Sequence, residues 1–396
     1  MCYNKFAHKS NTKKSYMDRL NYTLKSEEIQ ELKGKINRIY QRICTQIRKN
    51  NILKRKRVVV KYTVLAKATI LYITQNLSYQ RLADVMAMKY NVCMSDTAWK
   101  KQLKKAIPIF YTVVMQFLNT GKESESDEKI LGYSSVYAID ATDITLQGGK
   151  GSFLRVNTKY RISGKPKFEA VINDIHTGES TKLFAIESKS LYIADRAYGK
   201  TPQMEYLLSN GADFVFRISP SQVCLYSDRE CKTKLELKEY LTSPDVLLSL
   251  NCFFKAGGNV YPLRIIASPL PTRERNRAVD KVKKQALKKH HKIQSSTILY
   301  AGWLFIASSL PSSIKEEDII SSYRKRWQIE LHFKRSKSLL RFHSLRRCGI
   351  EYAYNMVMAW VAVSALVYSL FAVCYNFFSF EISHFNLFSD LISLIS

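Results

Sequence analysis

The feature that most constrains the fold is a set of short, largely apolar runs in the middle of the chain. Residues 135–139, 168–172 and 191–194 are four or five residues long and rich in β-branched and aromatic side chains. Runs of this kind are typical of strands that are covered on both faces. Similar runs at 213–218, 245–250, 261–266 and 297–306 extend the pattern. The sequence therefore predicts an α/β fold.

The part of the chain that precedes these runs is basic and has helical rather than strand-like spacing. Residues 1–62 are strongly basic, with a peak at residues 54–57, and a charge run of this kind fits either a solvated face or phosphate contacts. Residues 63–120 have helical spacing, and Ser78 and Ser95 are placed as N-caps of two successive helices. The second helix carries Lys100 and Lys101, which predicts a helix-turn-helix that binds DNA, although ordinary helical hairpins look the same. The acidic, polar residues 121–128 indicate a linker.

The charge balance narrows the class of partner. There are 62 Lys and Arg residues against 33 Asp and Glu, a formal net charge of +29. Such an excess opposes compaction unless a polyanion is bound, so nucleic acid is the first candidate partner and an anionic membrane surface the second. A small metabolic enzyme is disfavoured. The 8 cysteines are scattered, with no CxxC pair, which favours a reducing cytoplasm over a zinc site or a disulfide framework.

An uncharged stretch at residues 353–380 is long enough to cross a membrane. Two interpretations remain open, a single membrane span and a helix buried in a globular core. We favour the buried helix because the basic residues are spread through the chain rather than concentrated beside this stretch.

Two aspartates follow apolar runs and are candidates for chemistry. Asp140 comes directly after residues 135–139, and Asp195 comes directly after residues 191–194. Either one alone would most simply be a turn or helix-cap residue. Together, adjacent strand ends would bring two carboxylates within reach of a shared divalent ion. Mg²⁺ is held by carboxylates and substrate phosphates, and two such ions can promote an in-line displacement at phosphorus.

A third carboxylate lies in the helical region after residue 315. Tyr323, Arg326, Glu330 and Lys337 stand at offsets 0, 3, 7 and 14. On one continuous helix they would share a face within roughly 60°. A solvated face would alternate charges, whereas this one sets a single acid among hydrogen-bond donors, which suits a metal ligand beside a phosphate track.

These motifs resemble those of DDE-type insertion-sequence transposases of the cut-and-paste, hairpin-forming group. The Tyr-x2-Arg-x3-Glu-x6-Lys spacing is similar to the YREK signature of that group, and Asp140 and Asp195 match its two aspartate motifs in order. The resemblance implies a ribonuclease-H-like catalytic core that is interrupted by a β-rich insertion and preceded by an all-helical DNA-binding region.

The implied organisation assigns each segment a part. Residues 1–62 form a basic segment and 63–120 a DNA-binding region, while 130–200 and 303–378 form the two halves of the core. Residues 201–302 form the insertion with a basic helix near 273–292, and 379–396 are a tail of unknown role.

The resemblance also implies roles for individual residues. Asp140, Asp195 and Glu330 would hold two Mg²⁺ ions, with Mn²⁺ as a substitute, while Asp143 is a rival ligand that would point away on a continuing strand. Candidate contacts to DNA share a positive charge or an aromatic ring: Tyr323, Arg326, Lys337, Arg196, Lys100, Lys101 and Trp303. The last would stack on a flipped base at the hairpin, or simply pack in the core.

The resulting prediction is a transposase that binds the terminal inverted repeats of its element. It would hydrolyse a phosphodiester and use the freed 3′-OH for hairpin formation and strand transfer. It would act as a homodimer on double-stranded DNA at the element ends and the target, in the cytoplasm with the nucleoid. An inactive DNA-binding relative, a general ribonuclease-H-like nuclease and a single-span membrane protein remain alternatives.

Overall fold

The computed structural model describes residues 26–52, 61–75, 77–119, 129–146, 152–163, 167–241, 246–339, 344–345 and 348–375. The basic run at 54–57, the linker at 121–128 and the tail at 379–396 lie outside these residues. The chain divides into two compact units. One contains Met1–Thr120 and Arg335–Ser396, and the other contains Gly121–Lys334.

The unit Gly121–Lys334 is built on a mixed sheet. Its strands are β1 Val136–Leu146, β2 Ser152–Arg161, β3 Phe168–Asp174, β4 Leu191–Ala194, β5 Asp213–Arg217, β6 Leu248–Ala256, β7 Asn259–Pro269 and β8 Trp303–Ser308. They lie in the order β3-β2-β1-β4-β5-β8-β7-β6. Only β1 with β4 and β4 with β5 pair in parallel among these neighbours.

Apolar side chains cover both faces of the central strands. Tyr192 and Phe214 belong to one buried cluster, together with Met204 from the helix that follows β4. Leu191 and Val215 alternate with them and belong to a second cluster, together with Ile319. Successive side chains of a strand point to opposite faces of the sheet. A strand that is buried on both faces therefore shows no alternation between polar and apolar residues. The prediction of a covered sheet in an α/β fold is confirmed for these strands.

The helices of this unit begin in chain order after β4. We continue the numbering from the four helices of the other unit, which are α1 Ser26–Lys49, α2 Tyr62–Thr74, α3 Tyr79–Tyr90 and α4 Asp96–Asn119. The helices that follow in this unit are α5 Thr201–Ser209, α6 Thr272–Lys289, α7 Ser295–Ala301 and α8 Glu316–Arg324. The next helix, α9 Trp327–Leu339, has residues in both units, and α10 Ile350–Tyr375 belongs to the other unit. A two-residue strand, β9 Ser344–Leu345, separates the last two.

One predicted strand is wrong over half its length. The run 297–306 was expected to be a single strand, but its first part is the helix α7 and only Trp303–Ser308 is a strand. Residues 297–301 lie within a helix that Gly302 ends. The turn brings the ring of Tyr300 onto Phe305 at 5.4 Å. Tertiary packing therefore overrides the local preference of an apolar, β-branched run.

The other unit contains the helix pair predicted to bind DNA. Ser78 accepts a hydrogen bond from the backbone N–H of Arg81 at 3.0 Å, and Ser95 accepts one from Ala98 at 3.2 Å, so both predicted N-caps are confirmed. Asn91, in the left-handed conformation, ends α3. The second helix is longer than its basic part, because α4 runs on to Asn119 with Trp99 and Leu103 buried.

Residues 353–375 of the uncharged stretch lie in α10, which packs against α4 and α2, and residues 376–380 lie outside the described residues. Ala353, Val357 and Trp360 are at most 1 % exposed, which confirms the interpretation as a packed helix. Within the part of the chain that the structure describes, no helix combines the length and the apolar character needed to cross a membrane.

A close backbone approach fixes the ends of β4 and β5. Gly199 lies in the turn after Asp195, and a Cβ atom on it would stand 2.2 Å from the carbonyl oxygen of Arg217 and 3.0 Å from a side-chain carbon of Ile218. Neither the backbone of Arg217 nor the buried side chain of Ile218 can move easily to make room for this atom. The turn after β4 therefore accepts only glycine at this position.

Replacing Gly199 by Ala should lower the free energy of unfolding by about 1–3 kcal/mol, because the added methyl group overpacks this contact. Urea denaturation of Gly199→Ala and wild type measures the difference. Gly178→Ala is the matched control, since a Cβ there meets nothing within 4 Å. Equal stability of Gly199→Ala and wild type would contradict the packing described here.

Candidate active site

The parallel pairing of β1 and β4 brings the two predicted aspartates together. The last pair in this ladder is Ile139 with Ala194, and Asp140 and Asp195 are the next residue on each side. Adjacent strands lie about 4.8 Å apart, so the two carboxylates start from neighbouring backbone positions. One expectation needs correction. Only β4 ends at its aspartate, because β1 continues to Leu146 in pairing with β2.

Asp140 is a largely buried carboxyl group. Its Oδ1 accepts a hydrogen bond from the backbone N–H of Ala141 at 2.9 Å, and its side chain is 19 % exposed. Burial raises the pKa of Asp140 to about 7, against the lowering influence of that N–H and of Arg326. A carboxyl group held this way gains a proton easily unless a cation comes close.

Asp195 lies in a more cationic environment. Burial works to raise its pKa, but the backbone N–H of Arg196, the guanidinium groups of Arg326 and Arg217 and the hydroxyl of Tyr323 outweigh burial and hold the pKa below its ordinary value. Tyr323 donates to Oδ1 of Asp195 at 3.2 Å, and Nη1 of Arg217 lies 3.6 Å from the same oxygen. Asp195 is therefore ionised at neutral pH.

Arg326 connects the third carboxylate to the first. Its Nη1 atom lies 2.7 Å from Oε1 of Glu330 and 3.8 Å from Oδ2 of Asp140, and its side chain is 11 % exposed. Its guanidinium also lies 5.4 Å from the ring centre of Tyr323. Burial opposes its charge, but Tyr323, Asp195 and Glu330 together raise the pKa of Arg326, so it stays charged. One internal cation thus pairs with Asp140 and Glu330 and acts on Asp195 through its charge.

The signature residues do not lie on one continuous helix, which corrects the prediction of a single stripe. Tyr323 is in α8, which ends at Arg324, while Glu330 and Lys337 are in α9, which begins at Trp327. Between them the backbone N–H of Arg326 bonds to the carbonyl of Tyr323 at 3.0 Å, a tighter i→i−3 turn. This turn directs Arg326 toward the acids. Lys337 lies in the last turn of α9.

The donor set suits a hard divalent cation, because such ions prefer carboxylate oxygens. Arg326 stands among these oxygens as an internal cation, which shows that the pocket favours positive charge. Within the described residues, however, no three His, Cys, Asp or Glu side chains are close enough together to hold an ion as they stand. The three acids have the right chemistry for such an ion, and Nη1 of Arg326 lies against two of them, Asp140 and Glu330.

The remaining predicted residues are exposed cations, one buried tryptophan and one paired acid. Arg196, Lys100 and Lys101 are exposed, and so are most residues of α6, which has none buried. Trp303 is 7 % exposed and packs within the larger apolar cluster. Asp143, the rival ligand, is bound by Arg155 at 2.8 Å.

Four residues near the acids were missed or given no role. Arg217 ends β5 beside Asp195, and the strand-end rule that selected the aspartates could have found it. Arg155 binds Asp143 from β2. The charge of Glu179 acts on Asp140, and the charges of Glu179 and Asp140 act on Tyr198; no sequence periodicity marks Glu179 or Tyr198.

The raised pKa of Asp140 predicts a pH-dependent loss of stability. A folded-state pKa above the unfolded value means that the folded protein binds this proton more tightly. The resulting stability is present below about pH 4 and is lost as the pH rises toward 7, by at most about 4 kcal/mol. Asp140→Asn cannot ionise, so its stability relative to wild type should increase over that range and then level off. Urea denaturation at each pH tests this, and a pH-independent difference contradicts it.

The chain is similar to transposases in comparisons with protein families and with individual proteins. Residues 133–366, more than half of the chain, match the family model for the transposase DDE domain. The transposase for insertion sequence element IS421 of Escherichia coli is 25 % identical over 340 residues, which cover 83 % of this chain and 90 % of that protein. The putative transposase InsL for IS186A of Escherichia coli strain K12 is 24 % identical over 339 residues, with the same coverage.

A solved structure is also similar. The piggyBac transposase in a synaptic complex with hairpin DNA, determined by cryo-EM, aligns with 91 % of this chain and 77 % of that chain, at a TM-score of 0.43 and 12 % identity. The family match spans Asp140, Asp195 and Glu330, and the chain belongs to the DDE transposase family.

Proposed function

We propose that this chain is the transposase of an insertion sequence and that Asp140, Asp195 and Glu330 form its site for cutting and joining DNA. The observation that carries the proposal is the contact of Arg326 with both Asp140 and Glu330, beside a strand register that makes Asp140 and Asp195 neighbours. Residues separated by 190 positions in the chain thus meet at one cation.

The finer assignments are part of the same proposal. We assign the chain to the hairpin-forming group with the YREK signature, and its sheet to a ribonuclease-H-like core with halves at 130–200 and 303–378. Residues 201–302 are the insertion, 63–120 the DNA-binding region and 1–62 a basic segment. The tail at 379–396 has no assigned role.

Asp140, Asp195 and Glu330 are the residues that would hold two Mg²⁺ ions, or Mn²⁺ in their place. When bound, such ions would activate water and neutralise charge that develops at the scissile phosphate. The chain's own contribution is positioning. Tyr323 fixes one oxygen of Asp195 by its hydrogen bond, and Arg217 keeps that carboxylate ionised.

Arg326 has a second possible partner when DNA is bound. A phosphate group offers a guanidinium two oxygens in a matching geometry, so it competes with Asp140 and Glu330 for Arg326. Movement of Arg326 toward a phosphate would leave the three carboxylates free for divalent ions. The reaction then needs no covalent protein intermediate, because orientation of the attacking water or 3′-OH provides the catalysis.

Contacts with double-stranded DNA at the element ends and the target are proposed for the exposed cations. These are Lys100 and Lys101 of α4, Arg196, and the basic residues of α6. Phosphate contacts are also proposed for Lys337, in the last turn of α9, and for Tyr323, which is 7 % exposed. A homodimer would hold two ends in one synaptic complex. We place its action in the cytoplasm with the nucleoid, where DNA is available, and assign no role at a membrane.

Trp303 is proposed as the residue that stacks on a flipped base at the hairpin. A base gains about 1–3 kcal/mol from stacking on an aromatic ring. Because the ring is 7 % exposed, it would have to turn out of the apolar cluster to do so.

Replacing Glu330 by Gln should abolish divalent-ion-dependent cleavage of element ends, by at least about 100-fold, because it removes a charge from the ion site without changing the shape of the side chain. Binding to the same DNA should remain, since the exposed cations are untouched. Cleavage is measured on labelled end fragments, where a hairpin product is resolved on a denaturing gel, and binding by gel shift.

Glu317→Gln is the matched control, because Glu317 is an exposed acid in the first turn of α8. It should cleave like wild type. Full cleavage by Glu330→Gln would show the mechanism to be wrong. Wild-type protein that binds ends without cutting them would instead identify an inactive DNA-binding relative, and cutting that ignores the end sequence would identify a general nuclease.

A further inference from the structure

A buried arginine on β7 anchors the connection that leads into α8. The side chain of Arg264 is 6 % exposed, and its Nε atom donates to Oγ of Ser249 on β6 at 3.0 Å. Its Nη1 atom donates to the carbonyl oxygens of Pro311 and Ile314 at 3.4 and 2.6 Å. Its Nη2 atom donates to Oε1 of Glu316, the first residue of α8. Each nitrogen of the guanidinium is thus used, and two of them hold the chain where it enters α8.

The start of α8 depends on this arginine for its polar contact with the sheet. Lys315, the N-cap residue, makes no side-chain hydrogen bond to the helix within the described part of the chain. The side chains of Glu317 and Asp318 are exposed. Glu316 is half-buried and paired with Arg264, so it ties this end of the helix to β7.

The face of α8 that meets the sheet is largely apolar. Ile319, Ile320 and Tyr323 belong to one buried cluster with Ile266 of β7. Burial of apolar surface is non-directional, so it determines which face of the helix meets the sheet more strictly than it determines the position along the helix axis. Charge-assisted hydrogen bonds are short and have a preferred geometry. The ion pair at the start of α8 is therefore suited to set the axial position of the helix.

The other end of α8 carries the groups that contact the acids. Tyr323 lies about 10 Å along the axis from Glu316, at 1.5 Å per residue. Its hydroxyl donates to Asp195 at 3.2 Å, and the turn that follows brings Arg326 to 3.8 Å from Asp140. A helix moves as a stiff rod, so a shift at its first residue reaches its last turn. Misplacement of a reacting group by about 1 Å can slow a reaction about 100-fold.

We propose that Arg264 is a positioning residue for the cutting and joining of DNA, because it holds α8 where Tyr323 and Arg326 meet the acids. Arg264 acts through the helix rather than by touching the acids or DNA. The inference rests on the proposed function, because it concerns the same site. It gives the proposed insertion, residues 201–302, a part in the chemistry, since a strand of the insertion holds a helix of the core.

Two substitutions test the link from its two sides. Arg264→Lys keeps the positive charge, but a compact ammonium group cannot reproduce the fork that binds Ser249, two carbonyl oxygens and Glu316 together. Glu316→Ala removes only the tie between that fork and α8. In single-turnover cleavage of labelled element ends at saturating protein, each substitution should lower the rate constant about 10- to 100-fold. The Kd for the same DNA, measured by gel shift, should equal that of wild type.

A double-mutant cycle with Tyr323→Phe separates positioning from general stability. If Arg264 acts through α8, the hydroxyl of Tyr323 is already displaced in Arg264→Lys, so Tyr323→Phe should slow that variant far less than it slows wild type. A merely structural arginine would lower the amount of DNA cleaved, through loss of folded protein. It would leave the rate constant of the folded molecules and the full effect of Tyr323→Phe unchanged, and that result overturns the inference.

Amide hydrogen exchange reports the same link without DNA or ions. The N–H groups of Arg326 and Ile329 bond across the turn between α8 and α9, at 3.0 and 3.1 Å. In Arg264→Lys they should exchange faster by on the order of 10-fold, because local opening of the turn becomes easier. Exchange in β4 should not change.

Two matched controls separate this link from general effects. Glu169→Ala removes the acid partner of another buried cation in the same sheet, Lys159, which also donates to the carbonyl of Ala185 at 2.6 Å. Glu317→Ala removes the exposed acid next to Glu316. Both should keep the cleavage rate constant of wild type and the exchange rates of the turn.

Wild-type rate constants together with wild-type exchange of the turn in Arg264→Lys and Glu316→Ala overturn this inference and leave the proposed function standing. Glu316→Gln, which keeps the shape of the side chain, carries the test if the other two variants do not fold. Cleavage by Glu330→Gln at the wild-type rate would show instead that the proposed function is wrong, and the role of Arg264 in the reaction falls with it.

Discussion

The parallel pairing of β1 with β4 is the constraint on which the site depends. It stops after Ile139 and Ala194, so the next residue on each strand is an aspartate at the edge of the ladder. Two neighbouring carboxylates in a partly buried place repel each other. Burial is the main reason why the pKa of Asp140 is raised, whereas the backbone N–H of Arg196 and the guanidinium groups of Arg326 and Arg217 hold the pKa of Asp195 below its ordinary value. Arg217 and Arg326 offset the repulsion between the two carboxylates, because each pairs with one of them.

The cations and acids have complementary roles in this arrangement. Arg326 pairs with both Asp140 and Glu330, while Arg217 pairs with Asp195. A guanidinium of this kind is also suited to a phosphate. Exchange of Arg326 between acid and phosphate would link DNA binding to the readiness of the acidic pocket, so recognition and chemistry would depend on one side chain.

The sequence predicts the parts of the structure that local chemistry determines. Strands buried on both faces show as apolar runs, and caps such as Ser78 and Ser95 show because a short polar side chain precedes a helical pattern. The break between α8 and α9 does not show, since helical spacing persists through Arg326. The sequence assigns no role to Glu179 or Tyr198, because what the structure adds depends on residues distant in the chain: Gln203 bonds to the backbone of Glu179, and the charge of Asp140 acts on Tyr198.

The most direct measurement of the central claim is an experimental structure of the protein with Mn²⁺ and a DNA end, with the ions located by anomalous scattering. The account predicts manganese about 2.1 Å from oxygen atoms of Asp140 and Asp195, with Glu330 in the same cluster and Arg326 turned toward a phosphate. Carboxylates that remain more than about 10 Å apart, or ions bound elsewhere in the chain, would contradict it.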